Sequence, residues 1–217
     1  MRTLGLIPAR AGSVRLPRKN VAQIGNRSLV EIAADCGIAA GLDLVCVSTD
    51  DSEIMAMLGG RVEIEIIPRP SLLAHADTAM LPVVHHAVRY LNQAFDAIVL
   101  LQPTSPLRTA DDVTACLTML RETGGDAVVS VTDGADDVAF HVRFAHRLEK
   151  IPDIVVPNGA VYVLRTSALE QGHDWFSGVT YAYRMPKDRS VDIDTQADLD
   201  FARFVYDRRR CVSKIPV

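Results

Sequence analysis

The chain has 217 residues, 48% apolar and 23% charged, with a formal net charge of −4. That mix suits one globular domain, 1–217, with a core of its own, and the negative balance excludes a general surface for nucleic acid or an anionic membrane. No apolar run approaches the ~18 residues of a membrane-spanning helix, and MRTLGLIPAR, broken early by Pro8 and Arg10, does not read as a secretory signal, so a cytoplasmic location is expected.

The first predicted strand is 3–8 (TLGLIP), followed by a basic loop. A helix is predicted over 28–40, a strand over 44–49 and a helix over 51–58 capped by Asp50 or Asp51. Strands follow at 62–67, 97–101 and 126–131. Between them lie two helical stripes, Leu81, Val84, Val88 and Leu91, then Val113, Cys116, Leu117 and Leu120. Residues after 132 turn polar and irregular, and about 133–157 reads as an excursion from the domain, serving as a dimer arm. Strands at 158–164 and 179–185 and a helix at 195–209 complete the chain. Strands that are nearly continuous in apolar residues fit a sheet covered on both faces. The fold class is therefore α/β, doubly wound, with a mostly parallel sheet and helices on both faces. Cys36, Cys46, Cys116 and Cys211 are scattered without CxxC spacing, and His85-His86 point apart on a helix, so no structural zinc is expected.

The loop IPARAGSVRLPRKN (7–20) carries Arg10, Arg15, Arg18 and Lys19 straight after a buried strand. Ligands of doubly wound sheets bind beyond the carboxyl ends of strands. Gly12, Ser13 and the cations there suit phosphate oxygens, although a solvated basic loop is the other reading. Neither GxxxxGK[ST] nor GxGxxG is present. IVLLQPTSPLRTADDV (98–113) sets Gln102, Ser105 and Arg108 past a second strand, with Thr109 or Asp111 as the next helix cap. IIPRPSLLAHADTA (66–79) sets Arg69 past a third. In SVDIDTQADLD (190–200), Asp192 and Asp194 share one face if the chain is extended, which suits Mg²⁺ beside a triphosphate. The alternative is that Asp194 or Thr195 merely caps the last helix.

Together, IPARAGSVRLPRKN, VSTDDSEI, RPSLLAHADTA, LLQPTSPLRT, NGAVYV and DIDTQADLD, in this order, resemble the acylneuraminate cytidylyltransferase family, the CMP-sialic acid synthetases and their relatives. The resemblance implies a Rossmann-like nucleotidyltransferase fold, a homodimer, and a Mg²⁺-dependent reaction of CTP with a nine-carbon 2-keto-3-deoxy sugar acid. It implies that Arg10, Ser13, Arg15 and Lys19 hold the triphosphate, Asn20 the cytidine, and Arg69 and the segment around Ala79 the base or ribose side. It further implies that Asp192 and Asp194 carry the metal and that Gln102, Asn158 and Tyr162 line the sugar pocket. Trp175-Phe176 either contacts the sugar's acyl group or packs in the core. The catalytic set is Arg10, Lys19, Asp192 and Asp194. Two departures stand out. Val14 replaces the family's usual Lys, and 133–157 is short and lacks an Arg-Gln-x-x-Pro run, leaving Arg143, Arg147 and Lys150 as its basic residues. CMP-Kdo-type synthetases and a degenerate nucleotide-binding homologue are the rival readings.

Overall fold

The computed structural model describes residues 1–134 and 155–212. Its main sheet has seven strands: β1 (Thr3–Pro8), β4 (Leu44–Thr49), β5 (Ile64–Pro68), β6 (Ala97–Leu100), β7 (Ala127–Asp133), β8 (Val155–Arg165) and β9 (Thr180–Arg184), in the order β5-β4-β1-β6-β8-β7-β9. Two further short strands, β2 (Gln23–Ile24) and β3 (Arg27–Ser28), pair as a hairpin beside it. β1 pairs parallel with β4 and β6, β4 with β5, and β7 with β9. β8 runs antiparallel to both of its neighbours.

Register decides where the loops meet. Pro8 lies opposite Ser48 and Thr49 opposite Pro68, so β1, β4 and β5 end on one edge. Because β8 is reversed, it brings residues 158–162 to that same edge, with Tyr162 opposite Leu100 at the end of β6. Five chain segments far apart in sequence therefore converge there.

The strands bury both faces, as their unbroken apolar runs require. On one face Ile7, Val45, Val99 and Val161 pack with α1 (Leu29–Ala39), α2 (Ser52–Leu58) and α4 (Ala110–Thr123). On the other, Leu4, Leu6, Ile98 and Leu100 pack with α3 (Met80–Leu91) and α5 (Thr166–Glu170). Each such side chain contributes about 1.5–3 kcal/mol when fully buried. A third cluster seats α6 (Gln196–Val212) through Leu199 and Ala202 against Ile24, Leu29, Leu107 and Ile193.

Local signals fix the helix starts. Ser28 and Glu31 form a capping box on α1, and Thr109 with Asp112 forms one on α4, which selects Thr109 over Asp111. Asp51, not Asp50, caps α2. The five-residue α5 was not legible in the sequence, being too short for a helical period. Of the segment 133–157 expected to leave the domain, Asp133 and Val155–Pro157 belong to the β7–β8 ladder, and 135–154 lie outside the described residues. Arg143, Arg147 and Lys150 lie outside the described residues.

Candidate active site

The basic loop forms one wall of a cleft of about 330 Å³, faced by Arg69, by Ala76 and Met80, and by Gln102–Thr104. A larger depression of about 440 Å³ lies at the opposite edge of the sheet, near Phe95 and Arg165. There Arg165 spends its guanidinium on the carbonyls of Gly125 and Leu120, and Arg121, also on its lining, donates to the Thr118 hydroxyl at 3.1 Å.

The four loop cations take different directions. Arg10 turns back onto the Gly12 carbonyl, and its own carbonyl accepts from Asn20 Nδ2 at 2.9 Å. The Ala11 N–H donates to Asp50 at 2.8 Å, tying the loop to the end of β4. Arg18 adopts a left-handed backbone (φ 58°) and points outward to Glu53 on α2. Lys19 Nζ donates to Asp194 Oδ1 at 3.0 Å and to the Ile193 carbonyl at 2.8 Å. Arg15 Nη1 meets Asp194 Oδ2 at 2.9 Å. Val14 is 77% exposed at the cleft mouth. Ser13 lines the same wall.

Arg69 is buried, with Nε donating to Ser48 Oγ at 3.2 Å and Nη2 to the Ser48 carbonyl at 2.7 Å. Burial pushes its pKa down to about 10, opposed by Asp50 and assisted by Arg10. A guanidinium so short of counter-charge favours an anionic or carbonyl ligand.

The carboxylate pair hangs on Ile193, which is fully buried beneath α6 and donates its N–H to the Thr104 carbonyl at 2.8 Å. With that side chain turned inward, Asp192 and Asp194 turn outward. Thr195 and Asp198, not Asp194, cap α6: Asp198 accepts from the Thr195 N–H at 2.7 Å, and its N–H donates to Thr195 Oγ1 at 3.3 Å. The Asp194 carboxylate is thereby left to the cations. Asp192 remains open to solvent at the rim, yet protein on its inner side withdraws enough water to raise its pKa; the Thr104 hydroxyl opposes this and Asp194 adds to it. Two adjacent carboxylates and a nearby hydroxyl are hard oxygen donors. Among the described residues no group of three or more His, Cys, Asp or Glu is placed to hold a metal. Such a set fits Mg²⁺, which takes one or two carboxylates and completes its shell with phosphate oxygens and water.

Several positioning residues escaped sequence reasoning. Asp112 is fully buried; it accepts from Arg189 at 3.0 and 2.8 Å and from the Tyr183 hydroxyl at 3.2 Å. Arg189 belongs to the turn that leads into Asp192, so this pair anchors the Asp192–Asp194 segment to α4. The only sequence signal was a charged turn, KDRS, with no periodicity. Arg108, by contrast, was singled out in the sequence beside Gln102; it is buried and donates from Nη1 to the Gln102 carbonyl at 2.6 Å and the Ala160 carbonyl at 3.1 Å, joining the β6 loop to β8. Gly159 (φ +75°) lies against Gln102, where an added Cβ would stand 3.0 Å from Oε1.

The residues assigned to the sugar pocket divide. Gln102 faces the cleft. Asn158 is buried, and both ends of its amide are committed: Oδ1 accepts from Ser130 Oγ at 2.6 Å and from the Ala160 N–H at 3.1 Å, while Nδ2 donates to Ser190 Oγ at 2.9 Å. It holds β8 to the segment before Asp192 rather than presenting free donors. Tyr162 is half-buried, its pKa raised by burial and by nearby Asp192 against a hydrogen bond from the Gly159 backbone. Its ring lies 6.1 Å from Trp175 and 6.0 Å, edge-on, from Phe176. Trp175 is 5% exposed and packs in the core; Phe176 is 59% exposed. Ala79 precedes α3 at the surface, and its neighbours Ala76 and Met80 form the cleft wall instead.

A basic loop, a buried arginine and a carboxylate pair at the carboxyl edge of such a sheet define a site of the nucleotidyltransferase class. The chain belongs to the cytidylyltransferase family, whose model matches residues 4–202. It is 26% identical over 216 residues to the N-acylneuraminate cytidylyltransferase of Streptococcus agalactiae serotype III, covering 91% of this chain and 52% of that protein. The chain thus spans about half the length of that relative. It is 25% identical over 224 residues to the pseudaminic acid cytidylyltransferase of Campylobacter jejuni, covering 95% of this chain and 97% of the relative. It is 26% identical over 226 residues to the CMP-N,N'-diacetyllegionaminic acid synthase of Legionella pneumophila, covering 91% and 93%. The fold is similar to that of a CMP:2-keto-3-deoxy-manno-octonic acid synthetase solved with CTP (TM-score 0.75, 16% identity, 96% of this chain and 100% of that one).

Proposed function

We propose that this protein is a cytidylyltransferase that joins CTP to a nine-carbon 2-keto-3-deoxy sugar acid of the sialic, pseudaminic or legionaminic type and releases pyrophosphate. The observation that carries this is the meeting of Arg15 and Lys19 with Asp194 beside a cleft whose far wall holds buried Arg69. Cations for a triphosphate and oxygen donors for its metal are thereby in one place.

Arg10, Ser13, Arg15 and Lys19 hold the triphosphate. Asn20, Arg69 and the segment around Ala79 face the nucleoside. Asp192 and Asp194 hold Mg²⁺, which when bound neutralises phosphate charge. Gln102 and Tyr162 meet the sugar acid, with Phe176 at the outer rim, while Asn158 and Trp175 support this wall from within. The anomeric hydroxyl attacks the α-phosphorus in line, the bond to the β-phosphate breaks, and pyrophosphate leaves against Arg10 and Lys19. Asp192 orients the attacking hydroxyl and takes up its proton as the new P–O bond forms. Most of the rate enhancement comes from positioning and preorganised charge. The protein acts as a homodimer in the cytoplasm; no helix among the described residues is long and apolar enough to cross a membrane.

The test is pyrophosphate release from each of four NTPs with Mg²⁺ and a panel of 2-keto-3-deoxy acids. Release with CTP and a nine-carbon acid is expected, and Asp194→Asn should nearly abolish it. Release with eight-carbon acids alone would move the assignment to a CMP-Kdo-type synthetase. CTP binding without release from any acid would mark a degenerate homologue.

A further inference from the structure

Both oxygens of Asp194 are occupied before any ligand arrives, Oδ1 by Lys19 and Oδ2 by Arg15. The two contacts differ in kind. The Lys19 side chain is 14% exposed and shares its ammonium with the Ile193 carbonyl, so it is built into the wall. The Arg15 side chain is 71% exposed, lies on the cleft wall beside Val14, and is held at its tip by Asp194. Arg18, three residues on, cannot substitute, since it is turned outward to Glu53. A divalent cation approaching alone would therefore find Asp192 open but Asp194 already paired at each oxygen, with two positive charges at contact distance. A triphosphate entering the cleft offers Arg15 a more highly charged partner, and that exchange uncovers Asp194 Oδ2.

We propose that Arg15 is an exchangeable latch on the metal-side carboxylate, paired with Asp194 in the nucleotide-free protein and transferred to the triphosphate on binding, so that the divalent metal enters with the nucleotide and not before it. The latch rests on the CTP reading given above. It also gives Arg15 a job distinct from that of the lysine usual at position 14: it couples the two ligands rather than simply adding charge. Because Arg15 is exposed and in a loop, its replacement leaves the core untouched.

Mn²⁺ serves as the probe, titrated by electron paramagnetic resonance into the full chain without nucleotide. Wild type should bind it weakly, and Arg15→Ala and Arg15→Gln about three- to tenfold more tightly, the sum of a lost exposed ion pair and a removed repulsion. Arg18→Ala should match wild type. With a non-hydrolysable CTP analogue, Mn²⁺ affinity should rise strongly in wild type, and the ratio of affinities with and without nucleotide should shrink in both Arg15 variants. Nucleotide-free Mn²⁺ affinity that stays unchanged or falls in the Arg15 variants, while wild type still binds the CTP analogue, overturns the latch alone. Failure of wild type to bind the CTP analogue in the presence of Mn²⁺ overturns the CTP reading and the latch together.

Discussion

Replacing Gly159 by Ala separates backbone strain from site geometry. Gly159 has φ +75°, and a Cβ there would stand 3.0 Å from Gln102 Oε1 and 3.5 Å from Ser105 Oγ. The left-handed backbone costs an L-residue about 1–2 kcal/mol, and stiffening of the unfolded chain makes little difference to the sign. A net loss of about 1 kcal/mol lowers Tm by roughly 2–4 °C in a chain of this size. The second effect is local: the carboxamide of Gln102 must retreat by a few tenths of an ångström from the position set by the Arg108 tie to its carbonyl. Losing one neutral hydrogen bond to the sugar acid costs about 0.5–1.5 kcal/mol, which predicts a roughly 2- to 12-fold lower kcat/KM for the acid with little change in KM for CTP. Gly124→Ala is the control, because Gly124 has φ +66°, caps α4, and a Cβ there meets nothing within 4 Å. It should lose the same stability with unchanged kinetics. Equal kinetics in the two variants would refute the role of Gly159 in seating Gln102.

Asp112→Asn should destabilise the fold by about 2–4 kcal/mol in urea unfolding at pH 7. Losing one member of a buried pair typically costs about 3–5, here lessened because Arg189 is 28% exposed; a loss under about 1 kcal/mol would demote the pair to decoration. Burial works to raise the Asp112 pKa, but Arg189 and the Thr109 backbone and hydroxyl outweigh it and hold the carboxyl below its usual value. Its stabilisation is thus complete above the unfolded value of about 3.9 and disappears as pH falls through the lower folded value. The stability gap between wild type and Asp112→Asn should therefore narrow below about pH 4, and a gap independent of pH would show that charge is not involved. Val14→Lys places a cation on an exposed position of the cleft wall. It should lower KM for CTP up to about fivefold, the worth of an exposed ion pair, with the gain shrinking in high salt; no gain would mean that Arg15 and Lys19 already saturate the triphosphate.

The parallel α/β class, the places of the seven sheet strands and the loop cations followed from the chain itself, because apolar runs of strand length and 3.6-residue stripes are local patterns. Helix caps were legible only as paired candidates, Asp50 or Asp51, Thr109 or Asp111, Asp194 or Thr195; the structure chose between them and added the Ser28–Glu31 capping box on α1. Register and direction were not local. The reversal of β8 brings residues 158–162 to the edge where β1 and β6 end, and no periodicity in the sequence reports it. Nor could spacing tell that Arg15 would reach Asp194 while Arg18 turned to Glu53; neighbours on an extended loop point apart, but which one faces the cleft depends on the left-handed turn at Arg18. Asn158 looked like a ligand residue and is a strut, because Ser130 and Ser190 from distant segments take up its amide. By itself the sequence determined which residues carry charge and which must be buried. The tertiary structure decided which charges meet, since ion pairs between residues more than 170 positions apart depend on how strands are ordered and directed within the sheet.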